Sequence, residues 1–224
     1  MYSNWWKYTG VVLVLYSLIG GLLFVNPNNL LFLDETVRNL NYHVPMWFAM
    51  ISLLTISVAS SILYLKTFNE KYDIIASKSA VVAVFFGLMG LATGSFWAKF
   101  SWGTWWTTDY KLNGAAIGEL IYFAYLILRS SVEEPSKKAR LSSVYSIFAF
   151  PLFVVFTLIL PKLASNSMHP GSGDTVGFNK YPLNNNLRIT FYPAVLGWIA
   201  ISWWITTILI RIEFLKSNKY SDEN

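Results

Sequence analysis

Six long apolar stretches, separated by shorter polar ones, divide the chain: residues 9–25, 45–65, 79–97, 114–128, 141–160 and 189–210. A helix crosses a bilayer core with about 20 apolar residues, roughly 17 to 25 being tolerated. Inside lipid its backbone N–H and C=O groups must be satisfied within the segment. The pattern therefore predicts an all-α fold, a polytopic membrane bundle of six transmembrane helices. The first stretch follows a single Lys nearby and carries no small-residue cleavage site, so it reads as a retained span rather than a removed signal peptide. After it, Asn26-Pro27-Asn28-Asn29 marks a turn, and residues 30–41 then have the composition of a short helix lying along the interface. Pro151 falls inside the fifth stretch, where its missing N–H and its ring predict a kink. No repeat relates the two halves and only the tail 217–224 is compositionally biased, so residues 1–224 read as one six-span domain.

The cations indicate which way the bundle faces. Lys7, Lys66, Lys71, Lys78, Arg129, Lys137, Lys138, Arg140, Arg211, Lys216 and Lys219 fall on one side of the six spans, and Arg38, Lys99, Lys111, Lys162, Lys180 and Arg188 on the other. Cytoplasmic loops carry the excess of Lys and Arg, so both termini are expected in the cytoplasm. Segments at about 26–44, 98–113 and 161–188 then face outward.

Composition mostly removes options. A chain that is 54% hydrophobic and 13% charged belongs with membrane proteins. Its net charge of +5 is accounted for by short loops beside apolar runs, so membrane lipid and not nucleic acid is the expected surroundings. With no Cys there is no disulfide, no thiolate metal site and no C-x-x-C-H haem attachment. No G-x-x-x-x-G-K-[ST] occurs either, so any ATP-driven step belongs to a partner subunit.

The outward segments hold the candidate chemistry. Trp97, Trp102, Trp105 and Trp106 fall within ten residues, with Gly103 allowing a turn and Asp109 and Lys111 just behind. Such a cluster reads either as an aromatic belt at the interface or as a shelf on which a large flat apolar ligand stacks. Both histidines of the chain, His43 and His169, lie on the same side as the tryptophans. Two neutral imidazoles can hold a macrocycle iron between them without a thiolate, although a polar loop also contains a His by chance. Asp109 can hold the loop's shape by accepting N–H groups, and Lys99, Lys111 and Arg188 are candidates to pair with acidic groups of a ligand. Glu119 lies within the fourth span, where an ionisable side chain is expected to face the bundle interior or a cavity.

The residues from Trp102 to Asn113, WGTWWTTDYKLN, resemble the W-G-x-W-W-x-W-D-x-R-L-T signature of the WWD-motif haem-handling family of cytochrome c biogenesis. In size, span count and motif order the chain is similar to its six-span branch, the cytochrome c maturation protein C family. His43 in His-Val-Pro resembles that family's first haem-ligand histidine, and His169 in His-Pro its second. Thr108 stands where the family usually has Trp, Lys111 replaces Arg, and Asn113 replaces Thr. The first change removes stacking surface, and the second exchanges a planar bidentate donor for a point charge.

The resemblance implies a protein that binds haem b as cargo and presents it to a periplasmic haem chaperone, at the outer face of the bacterial cytoplasmic membrane. His43 and His169 would be the axial ligands of the iron, Trp102, Trp105 and Trp106 the platform with Gly103, and Asp109 the residue fixing the loop, with Lys111 nearby. It implies an ABC-type ATPase and membrane subunit and a small single-span protein as partners. It also implies binding and transfer rather than enzymatic catalysis. Alternatives are a haem-lyase component that attaches haem to apocytochrome, a b-type electron-transfer subunit, and a membrane scaffold or permease subunit without haem.

Overall fold

The computed structural model describes residues 4–25, 34–164, 167, 169 and 185–222. The expected turn at residues 26–29 and most of the 161–188 segment lie outside the described residues. Six helices follow one another: α1 (Trp5–Leu23), α2 (Thr36–Thr67), α3 (Glu70–Trp102), α4 (Tyr110–Ser131), α5 (Pro135–Leu163) and α6 (Asn185–Asp222). Each is long and apolar enough to cross a membrane, and no strand occurs among the described residues. The protein is an all-helical, multi-pass membrane protein.

The helices reach beyond the apolar stretches because polar residues cap them. The Asn69 side chain accepts the Lys71 N–H at 3.0 Å, and Glu70 and Asp73 in the first turn favour the positive end of the helix dipole, so α3 begins at residue 70. Glu134 caps α5 by accepting the N–H groups of Ser136 and Lys137 at 2.9 and 2.8 Å, with Pro135 in the first turn. The Ser136 hydroxyl and the Lys137 amide hold the Glu134 carboxyl below its ordinary range. Residues 34–41 do not form a separate interfacial helix. A 3-10 turn, Asp34–Asn39, leads directly into the α-helical part of α2, Leu40–Thr67, and its Val37 packs with Val25 and Leu187. At Pro151 the helix continues, and the irregularity lies just beyond it as a π turn, Val155–Ile159.

The chain runs up and down, so α1, α3 and α5 end where α2, α4 and α6 begin. The contact of Val25 with Val37 and Leu187 fixes one end of the bundle, and Lys7 over the Trp204 ring fixes the other. Residues 4 and 222 therefore share the end opposite His43. There, Arg129 of α4 grips Asp73 of α3 with two hydrogen bonds of 2.7 and 2.5 Å, and Lys78 pairs with Glu213 at 2.9 Å.

Small residues bring the helices together, as expected where lipid supplies no hydrophobic drive between them. Gly87, Gly90 and Gly94 of α3 face Met50, Trp47 and His43 of α2, an antiparallel register in which each large side chain meets a missing one. Ser57 of α2 donates to the Ala76 carbonyl at 2.9 Å, and Tyr145 of α5 donates to the Ile121 carbonyl of α4 at 2.9 Å. Glu119 of α4 does face the interior: it is buried with its carboxyl against Gly87 and has no hydrogen-bond partner among the described residues. Gly114 of α4 lies directly on the carbonyl of Phe156, inside the π turn.

Candidate functional site

The end of the bundle that carries His43 also receives the end of α3, the start of α4 and His169. His43 stands on the second turn of α2, half-buried, with its ring over Gly94. A methyl group at residue 94 would lie 2.6 Å from Cε1 of the ring, so glycine is needed there for space. His43 Nδ1 is 2.9 Å from the Gly90 carbonyl and 3.2 Å from the Thr93 hydroxyl. A carbonyl only accepts, so Nδ1 carries the proton and Nε2 the lone pair. Trp47, one turn along, meets the ring edge-on at 6.4 Å.

Asp109 organises the other half. It is the N-cap of α4, in extended backbone, and its Oδ1 accepts the N–H groups of Lys111 at 2.9 Å and Leu112 at 3.3 Å. It is also only 5% exposed, because two further groups reach it from across the chain. The Ser167 hydroxyl donates to Oδ2 at 2.8 Å, and His169 Nδ1 lies 3.1 Å from Oδ1. The His169 backbone N–H in turn donates to the Ser167 oxygen at 3.2 Å. Burial outweighs the Asp109 hydrogen bond and holds the imidazole below its ordinary value of 6.5. The contact is therefore a neutral N–H bonded to a carboxylate, and His169, like His43, has its lone pair on Nε2.

The tryptophans divide into two groups. Trp97 and Trp102, on the last turns of α3, pack on each other at 4.9 Å and on the His169 ring at 5.6 and 5.0 Å. Trp105 and Trp106 lie in the link between α3 and α4 and are 54% and 43% exposed. Trp105 rests against Phe96 at 6.1 Å, and the Trp106 indole donates to the Asn113 side chain at 3.0 Å. Gly103 ends α3 with φ of +78°, while a Cβ there would meet nothing within 4 Å, so that glycine serves the backbone and not the packing. Lys99 donates to the Gly103 carbonyl at 3.0 Å, and Arg188 is exposed on α6.

His43 lies over Gly94, and Trp97, about one turn further along α3, touches the His169 ring. The structure thus joins His169 to Asp109, Trp97 and Trp102, with His43 over the same end of α3, while Trp105 and Trp106 are exposed on the link. Sequence reasoning left out Gly90, Thr93 and Gly94, although Gly90-x-x-x-Gly94 in an apolar helix is a signal for close helix approach. It also left out Trp97 as a neighbour of His169, and Ser167, for which no local pattern exists.

Among known proteins, the family model for heme exporter protein C matches residues 1–223. Heme exporter protein C of Paracoccus denitrificans is 28% identical over 161 residues, which is 72% of this chain and 65% of that protein. The protein of the same name from Rhodobacter capsulatus is 28% identical over 137 residues, 61% of this chain and 56% of that one. A shorter match, 42% identical over 65 residues, joins 29% of this chain to 21% of cytochrome c biogenesis protein CcsA of Prochlorococcus marinus. The chain spans between about half and two thirds of the length of the curated heme exporter relatives it matches. With six spans and a match from end to end, the chain belongs to the heme exporter protein C family.

Proposed function

We propose that this protein binds haem between His43 and His169 and presents it to a periplasmic haem chaperone for cytochrome c maturation, without catalysing bond formation itself. The observation that carries the reading is the shared tautomer. Two histidines on different elements come to one end of the bundle, and each donates Nδ1–H to a fixed acceptor, the Gly90 carbonyl or the Asp109 carboxylate. Iron-ligating histidines are oriented in this way, with the second ring nitrogen left as the donor atom. The donor set fits haem, which tolerates two neutral imidazoles and needs an apolar aromatic surround, supplied here by Trp97 and Trp102.

The iron centre would supply the ligand bonds. The chain orients the imidazoles, keeps His169 neutral, and offers Lys111 to the acidic edge of the cargo. Trp105 and Trp106, on the exposed link, are the aromatic surface nearest an incoming partner at that end. In this reading the haem is haem b, the site faces outward from the bacterial inner membrane, and an ABC-type ATPase with its membrane subunit and a small single-span protein complete the assembly.

The test is the visible spectrum of the purified protein and of two variants. Wild type should show a bis-imidazole haem, and His43→Ala and His169→Ala should each lose most of the bound pigment. Unchanged spectra in both variants would remove the ligand assignment.

A further inference from the structure

The two histidines are mounted alike but bonded to unlike acceptors. His43 Nδ1 donates to a peptide carbonyl that the Thr93 hydroxyl also engages at 3.2 Å, so its acceptor is neutral and shared. His169 Nδ1 donates to a buried carboxylate oxygen, shared with the Lys111 and Leu112 N–H groups but charged. A carboxylate draws the N–H proton further from the ring, which gives the imidazole partial imidazolate character and makes its other nitrogen a stronger donor to a metal. Asp109 and His169 are both buried, so the difference is larger than it would be in water. Ser167 moderates it, because its hydroxyl takes part of the charge on Oδ2 of the same carboxylate.

We infer that His43 and His169 are unequal ligands: His169, positioned and polarised by Asp109, is the stronger donor, and His43, bonded to the Gly90 carbonyl, is the one an incoming donor displaces first. The inference rests on the bis-histidine reading above and adds a division of labour to it. His169 retains the cargo, and His43 opens the coordination position through which it can be passed on. Asp109 is a positioning residue here: it acts on the cargo through His169, and it also caps α4.

A ligand cycle tests it. His43→Gly and His169→Gly would each be loaded with ferric haem in detergent, with free imidazole filling the deleted position. The variant retaining His169 should bind ferric haem about tenfold more tightly than the one retaining His43, the lower range for loss of such an outer partner. Asp109→Asn placed in both should close most of that gap. In the otherwise intact protein, Asp109→Asn should move the haem midpoint potential to a more positive value, because less charge donation favours ferrous iron. Ser167→Ala should move it the other way, by releasing the carboxylate from its hydroxyl. Opposite signs from two neighbouring variants are not what a general loosening of the loop produces, and the Ser167 variant keeps the test alive if Asp109→Asn does not fold. Equal affinities in the two single-histidine proteins, or a midpoint that moves the same way in both variants, would overturn the inequality. A wild-type protein with no bis-imidazole spectrum would instead remove the reading on which it rests.

Discussion

At the scale of single residues, the site depends on histidines that stay neutral. Burial holds His169 below 6.5 against the pull of Asp109. A proton taken up by His169 lands on Nε2 and competes with iron, and a lowered value postpones that competition to more acidic solution. Ferric-haem affinity should therefore stay level as pH falls through 6.5 and decline only below it, as followed by spectral titration. A decline that sets in at 6.5 would place His169 in water. His43, His169 and Asp109 were all legible in the sequence as candidates, from residue type, topology and motif. The partnership of Asp109 with His169 was not, because the two lie 60 residues apart and nothing local to either names the other.

At the scale of elements, the pair α2 and α3 sets the position of His43. Two glycines on one face of α3 receive two aromatic rings on one face of α2, and the carbonyl of the first glycine orients the histidine over the second. Gly94→Ala should cost about 1 to 3 kcal/mol as an overpacked contact and should also displace His43, seen as a change in the haem spectrum. Gly103→Ala should cost about 1 kcal/mol through its left-handed backbone and leave that spectrum alone, since no atom waits for the added methyl. Thermal unfolding in detergent with parallel spectra separates the two outcomes. The existence of both helices was plain from hydropathy, whereas their ends were not. α3 runs on to Trp102 and Asp109 starts α4, so both ends of the segment that reads in sequence as a loop at 98–113 are helix, and Trp97 and Trp102 sit on a rigid support.

At the scale of the molecule, six spans followed from length and apolar content alone, because a bilayer allows so few alternatives. Which end faces outward rests on the distribution of Lys and Arg, and it predicts that a cysteine at exposed Thr108 reacts with an impermeant thiol reagent from the periplasmic side of intact cells. Reaction only after lysis would invert the bundle. A π turn is, in effect, one residue more than the helix needs, and each extra residue rotates everything after it by about 100°. Val155–Ile159 holds such a residue, braced where Gly114 presses on the Phe156 carbonyl, one turn beyond Asp109. The azimuth at which the chain leaves α5 towards Ser167 and His169 is thus set inside the membrane, by a phase slip in the helix that precedes them.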